Sequence, residues 1–167
     1  LWQGKALESI WLGTGARGVD LHPGRTARVL DLHQKRVVDD RGTVYDFDRL
    51  LLATGVSPRR LPIGGHRVIY YRTLQDYHRL RQETAQGQHF AVIGGGFIGS
   101  EVAAALISNG KNVTMIFPEP GIGARLFPPD LSSFVTDYYR DHGVEVLPGA
   151  SLTGITERDD HLLLTVT

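Results

Sequence analysis

The sequence predicts an α/β protein in two parts: an antiparallel β-meander, then a doubly wound domain with a parallel sheet, incomplete at its C-terminal end. Three observations predict this. Between Val19 and Phe47, short alternating runs are separated by turn residues, the pattern of an antiparallel meander. From His89 to Leu147 the order becomes strand, helix, strand, helix, strand, which is how a parallel sheet with crossover helices is written. At the first strand-to-helix junction stand Gly94, Gly96 and Gly99, in G-x-G-x-x-G spacing.

In chain order, Leu1 to Gly18 is weakly patterned, with a short helix near Leu7 and glycine-rich coil after it. Val19 to His22 alternates, Pro23-Gly24 turns, and Ala27 to Leu32 alternates again. Arg36 to Val38 and Thr43 to Phe47 complete the meander on either side of the Asp39–Gly42 turn. Asp48 to Gly55 then reads as a continuous apolar strand buried on both faces. Pro58 and Pro62 lack the N–H that would extend a ladder, so the stretch from Pro58 to Arg67 reads as a linker. The domains are therefore expected to span residues 1–62 and 63–167. Val68 to Tyr71 reads as a short strand. Thr73 stands as the N-cap of a polar helix over Leu74 to Thr84, which Gln86-Gly87 ends.

The strand from His89 to Ile93 leads through the glycines into a helix that runs to a C-cap at Asn109-Gly110. Asn112 to Phe117 is the second strand and Pro118 to Gly121 a turn. Pro128-Pro129-Asp130 opens a helix over Leu131 to His142, and Gly143 stops it. Val144 to Leu147 is the third strand. Ala150 to Glu157 and His161 to Thr167 form a hairpin around Arg158-Asp159-Asp160. A complete doubly wound unit returns to its sheet with further strands. The chain also opens on Leu1 rather than Met, so a processed or cut N-terminal end is expected.

Composition narrows the function classes. Lys plus Arg and Asp plus Glu number 18 each, so charge gives no reason to expect a nucleic acid or a membrane surface as partner. No apolar run approaches the length of a membrane span. The absence of Cys excludes disulfides, thiolate metal sites and a cysteine redox pair within this stretch. The seven His are scattered with no H-x-x-x-H pair, and no metal site is expected.

The glycine motif carries the chemistry. Gly94 makes the tight turn, Gly96 lets the backbone approach a pyrophosphate, and Gly99 lets helix and strand pack closely. The helix N-terminus faces the phosphates with free N–H groups and the positive end of its dipole. In such a site an acid after the second strand binds the adenosine ribose. Phe117 occupies the usual position here and Glu119 follows two residues later. A carboxylate at Glu119 would favour NAD over NADP, whereas Arg125 nearby could take a 2′-phosphate; the pair leaves the choice open. Glu101, in the first turn of the motif helix, is favoured there by the dipole with or without a ligand. It also stands where it could approach the far end of a dinucleotide.

Leu51-Leu52-Ala53-Thr54-Gly55 with Ser57-Pro58-Arg59, then Arg72-Thr73-Leu74, then Gly94-Gly95-Gly96-Phe97-Ile98-Gly99-Ser100-Glu101, resembles the FAD- and NAD(P)H-dependent pyridine nucleotide-disulfide oxidoreductase superfamily, in its ferredoxin-reductase-like group. Phe117 to Gly121, Arg125 to Pro128 and Gly143 to Pro148 are similar to the apoptosis-inducing-factor-like branch, and the opening Leu1-Trp2 fits that branch too. The resemblance implies a partial FAD-binding domain over 1–62 and a truncated, Rossmann-like NAD(P)H-binding domain over 63–167. It implies that Ala53, Thr54, Gly55 and Arg59 contact FAD, with Ala27 near the adenine. Gly95, Gly96, Phe97 and Ile98 would contact NADH, and Glu119 the adenine ribose. Glu101 would orient the nicotinamide, and Arg125 would lie on the adenosine side.

The implied activity is that of a flavoprotein oxidoreductase in which NADH passes a hydride to FAD, with NADPH as the other donor to test. A ferredoxin or rubredoxin reductase component of an electron-transfer chain is the main alternative. A thiol-based NADH oxidase or coenzyme-A-disulfide reductase and a redox-switched interaction protein also stand. The acceptor is left open among ferredoxin, quinone and oxygen, a homodimer is an open assembly, and the location is left between cytoplasm and mitochondrion.

Overall fold

In the computed structural model, which describes residues 5–10, 13–63 and 65–167, the chain divides into two compact units, Leu1–Val56 and Ser57–Thr167. The reading of Leu1-Trp2 lies outside the described residues.

In the first unit, the helix expected near Leu7 is a single 3-10 turn, Leu7–Ile10, and a second such turn covers Thr14–Arg17. The meander forms a three-stranded antiparallel sheet of β1 (Ala27–Asp31), β2 (Arg36–Asp39) and β3 (Val44–Asp46), in that order. Its tight turns come from local chemistry. Asp31 accepts a hydrogen bond from the Gln34 N–H at 2.9 Å, and Gly42 takes a φ of 79° that a side chain would resist. Asp39 at the end of β2 is buried and fully engaged. It accepts bonds from the Arg41 and Thr43 N–H groups at 2.9 Å each and from the Tyr45 hydroxyl at 2.8 Å, and it pairs with Arg25. Burial pushes its carboxyl upward, but the Arg25 guanidinium, the two N–H groups and the Tyr45 hydroxyl together hold it well below the usual carboxylate range.

Three expected strands are absent. Val19 to His22 is exposed coil. Asp48 to Gly55 forms no strand, and Leu51 and Leu52 stand 87% and 66% exposed. A strand apolar on both faces needs neighbours on its edges and layers over its faces; nothing among the described residues supplies either. Val68 to Tyr71 is also irregular. Side chains hold that segment instead: Arg79 donates to the carbonyls of His66 and Val68, and the Leu61 N–H donates to the Tyr70 hydroxyl at 2.9 Å.

The second unit begins with α1 (Leu74–Gln86), started by a capping box between Thr73 and Asp76 and ended at Gly87. Then follow β4 (His89–Ile93), α2 (Phe97–Ser108), β5 (Asn112–Phe117), α3 (Pro129–Asp141) and β6 (Glu145–Pro148). The three strands are parallel in the order β4-β5-β6, one side of a doubly wound sheet. β7 (Leu152–Glu157) and β8 (Leu162–Val166) form the expected hairpin.

Central β5 carries most of the core: Val113, Met115, Ile116 and Phe117 are buried, as are Ala103 and Leu106 of α2, Val144, and Val146 of the neighbouring β6. Full burial of each large side chain contributes roughly 1.5–3 kcal/mol. α3 begins two residues before the expected Leu131, because Pro129 fits the first helical turn, where its missing N–H costs nothing. Its two fully buried side chains are polar, Ser132 and Thr136, with Val135 and Tyr139 half-buried beside them, while Leu131, Phe134 and Tyr138 are exposed. Among the described residues no helix is long and apolar enough to cross a membrane.

Candidate functional site

β4 ends by pairing with β5 one residue past its last strand position, the Gly94 N–H donating to the Ile116 carbonyl at 2.9 Å. Gly94 then turns the chain at a φ of 120°, where a side chain is strained. The next glycines differ in what they touch. A Cβ on Gly95 would lie 2.8 Å from the ring of Phe117, which is 1% exposed. A Cβ on Gly99 would collide with the Gly94 carbonyl oxygen, so α2 can lie this close to the turn only without one. A Cβ on Gly96 would meet nothing within 4 Å. Gly96 is the N-cap of α2 at a φ of −85°, which any residue adopts, and no side chain caps the helix. Gly95 and Gly99 are therefore required by the chain's own packing. Gly96 is not; it leaves open space at an uncapped helix N-terminus, where N–H groups lack intrahelical partners.

The loop after β5 is joined to this turn. The Gly123 N–H donates to the Gly95 carbonyl at 2.7 Å, and the Gly149 N–H donates to the Glu119 carbonyl at 3.0 Å. Glu119 and Arg125 form an ion pair, the acid side chain 19% exposed and the guanidinium 79%. The two residues that pull opposite ways in the sequence thus hold each other. From below, the Ser132 hydroxyl donates to the Ile122 carbonyl at 2.8 Å, the Ile122 N–H donates to the Thr136 hydroxyl at 2.9 Å, and that hydroxyl donates to the Ser132 carbonyl at 2.7 Å.

Glu101 is exposed, but it lies one turn into α2 rather than in the first turn expected from the sequence, because the helix starts at Phe97 and its first turn holds no acid. Two tyrosines feel its charge: Tyr71 and Tyr139 are both raised, first by burial, with the Glu101 carboxylate adding to the rise. Tyr139 donates to the Ser100 carbonyl at 3.0 Å and so ties α3 to the start of α2. A cavity of about 1360 Å³ within the second unit is walled by Arg59, Tyr71, Gly96, Phe97, Ile98 and Val102 among others. Phe97 meets Phe127 edge to face with centroids 5.8 Å apart.

The second unit thus gathers Gly94 to Gly99 with the Glu119–Arg125 pair and carries Glu101 one turn further along α2. Arg59 is on the cavity wall. Ala27, at the start of β1, and Ala53, Thr54 and Gly55, in irregular chain, belong to the first unit and are exposed, Gly55 turning at a φ of 69°. Sequence reasoning missed Ser132 and Thr136, since the apolar spacing of Leu131, Phe134 and Tyr138 draws attention to the other face of α3. It also missed Tyr71 and Tyr139, which carry no motif. No group of three or more potential ligands that could hold a metal occurs among the described residues.

Comparison with known proteins adds the following. The family described as pyridine nucleotide-disulphide oxidoreductase matches residues 6–167. The chain is 35% identical to apoptosis-inducing factor 1, mitochondrial, of Dictyostelium discoideum, over 99% of this chain and 33% of that protein. It is 32% identical to a putidaredoxin reductase of Pseudomonas putida, over 97% of this chain and 41% of that protein. Among solved structures, a ferredoxin reductase from Rhodopseudomonas palustris matches with a TM-score of 0.78 at 26% identity, covering 98% of this chain and 40% of that one. The chain spans between a third and about two fifths of the length of these relatives.

Proposed function

Because the chain belongs to the pyridine nucleotide-disulphide oxidoreductase family, we propose that it is part of a flavoprotein oxidoreductase in which NADH passes a hydride to FAD. The observation that carries this reading is the contrast among the glycines: Gly95 and Gly99 are enforced by contacts inside the chain, whereas Gly96 keeps open space at the uncapped start of α2. A pyrophosphate fits that space, with negative charge against helix N–H groups.

In this reading Gly94 to Gly99 hold the pyrophosphate, Phe97 and Ile98 lie along the dinucleotide, and Glu119 accepts from the adenine ribose hydroxyls. Glu101, one turn into α2, orients the nicotinamide; its contribution is geometric, through placement of the reacting carbon. The choice of NADH over NADPH rests on Glu119. Its carboxylate would repel a 2′-phosphate, and Arg125, the group that would attract one, is already engaged by that carboxylate. For the flavin, Ala53, Thr54, Gly55 and Arg59 are the contacts, with Ala27 near its adenine; they are exposed as ligand-contacting groups need to be. The nicotinamide and flavin supply the hydride chemistry, and the protein supplies binding and orientation. The first unit is accordingly a piece of a FAD-binding domain and the second most of an NADH-binding domain.

Two relatives bear the names of reductases of small electron-carrier proteins, which favours a ferredoxin-type acceptor. The likeness to an apoptosis-inducing factor favours a redox-switched interaction protein with no fast acceptor. The visible spectrum of the full-length protein during anaerobic NADH titration tests the common core. Bleaching of bound flavin is expected, and a protein without flavin, or with flavin indifferent to NADH, overturns the proposal. Admitting air then separates the branches: a long-wavelength band that persists marks the switch, and immediate return of the oxidised spectrum marks a turnover enzyme.

A further inference from the structure

We propose that Ser132 and Thr136 of α3 are positioning residues for the adenosine end of the nucleotide, setting the preference for NAD+ over NADP+ through the turn that carries Glu119. This rests on the reading of Gly96 and Glu119 given above.

Ile122 is 2% exposed, so its backbone N–H and carbonyl must find partners inside the protein. Both go to α3: the carbonyl to the Ser132 hydroxyl at 2.8 Å and the N–H to the Thr136 hydroxyl at 2.9 Å. The fit is close on the preceding residue as well. A Cβ on Gly121 would lie 2.6 Å from the Ser132 Oγ and 2.9 Å from the Thr136 Oγ1. The turn is therefore seated directly on the two hydroxyls.

From that seat the position is passed in two directions. Forward in sequence, the Gly123 N–H donates to the Gly95 carbonyl at 2.7 Å, which couples the seat to the glycine turn beneath the pyrophosphate. Backward, the chain reaches Glu119, whose carbonyl is fixed by the Gly149 N–H at 3.0 Å and whose carboxylate is closed on Arg125. The direction of the Glu119 carboxylate is what distinguishes a ribose diol from a 2′-phosphate. Beside the Gly149 and Arg125 contacts, the turn that carries it rests on two buried hydroxyls of α3, which bond Ile122 three residues further on.

The inward face of α3 carries half-buried Val135 and Tyr139, but its two fully buried positions are the hydroxyls of Ser132 and Thr136, while Leu131, Phe134 and Tyr138 are exposed. A helix selected only for core packing would carry apolar side chains at those two positions. The hydroxyls are accounted for if that part of the face serves the turn.

The test uses the full-length protein and isothermal titration with NAD+ and NADP+ in parallel. For Thr136→Val, with Ser132→Ala as a second variant, NAD+ affinity is expected to fall about tenfold while NADP+ affinity stays within about twofold. The ratio of the two constants thus moves by nearly the full factor. Thr136→Ser, which keeps the hydroxyl, is expected to restore the wild-type ratio. Equal weakening of both nucleotides, an unchanged ratio, or failure of both hydroxyl-deleted variants to fold overturns the proposal and leaves the hydroxyls with a structural role alone. A wild-type protein that binds neither nucleotide overturns the functional reading itself, a separate outcome read before any variant is made.

Discussion

Replacing Gly96 by Ala adds one methyl group at the start of α2, where the nearest heavy atoms of the chain are more than 4 Å away. Its backbone, at a φ of −85° and ψ of −174°, is open to alanine. Two small terms act on stability. Alanine restricts the unfolded chain, which stabilises by about 0.4–1 kcal/mol, and it is a poorer N-cap than glycine, which costs a comparable amount. The net change is expected within about 1 kcal/mol of zero, with melting temperature nearly unmoved. Dinucleotide binding responds differently. A methyl in the space assigned to the pyrophosphate forces the phosphates away from the helix N–H groups, and a loss of at least tenfold in NADH affinity, about 1.4 kcal/mol, is expected. Gly99→Ala is the control with the reverse signature. Its Cβ would collide with the Gly94 carbonyl oxygen and come within 3.6 Å of Val92 Cγ1, so stability falls by roughly 1–3 kcal/mol as β4 and α2 are pushed apart. The assay is thermal denaturation of each full-length variant beside NADH titration. If Gly96→Ala binds NADH like the wild type, the open space does not belong to the pyrophosphate and the reasoning fails.

Three further outcomes follow from the same contacts. Gly95→Ala is expected to destabilise by about 1–3 kcal/mol through overpacking against the buried Phe117 ring; Phe117→Leu in the same chain should recover part of that loss in denaturant unfolding, and strict additivity of the two changes would contradict the contact. Asp39 is held below its ordinary value, although its burial alone acts in the other direction. Its contribution to stability is therefore present above the unfolded carboxylate value of about 3.9 and disappears as pH falls through the lower folded one. Melting temperature should hold from pH 7 to 5 and drop below about pH 4, whereas Asp39→Asn should melt lower at pH 7 and show a shallower acid fall; an acid profile unaltered by the substitution argues against it. Arg125→Ala removes the exposed end of an ion pair, so stability should change by less than about 1 kcal/mol. The proposed ordering of Glu119 predicts weaker NAD+ binding from the same substitution, measured by titration.

Much of the second unit was legible because its signals are local. The Thr73–Asp76 capping box, the glycine turn and the Asn109-Gly110 stop mark helix ends through bonds made within a few residues. The strand over Asn112 to Phe117 emerges with the expected bounds, its apolar residues Val113, Met115, Ile116 and Phe117 all buried as a central strand requires. The apolar run at Asp48 to Gly55 forms no strand. The difference lies outside either segment: β5 has β4 and β6 on its two edges, and the earlier run has no ladder partner among the described residues. An apolar run states a demand for neighbours, and only the rest of the fold meets it.

The site divides along the same line. Gly94, Gly96 and Gly99 could be found by spacing, which gives Gly94 the turn, Gly96 the approach to a pyrophosphate and Gly99 the close packing. Gly99 answers to the Gly94 carbonyl, and Gly95, outside the spacing rule, answers to Phe117. An aromatic residue stands where an acid is usual, and its bulk trades against the missing side chain of Gly95: the Phe117 ring fills the space beneath the turn. Nothing local announces that exchange, because its partners are more than twenty residues apart in sequence and meet only through the parallel pairing of β4 with β5. Ser132 and Thr136 were hidden for a related reason. Hydroxyls four residues apart on a helix ordinarily mark its wet face, and only the buried backbone of Ile122 gives them a task inside.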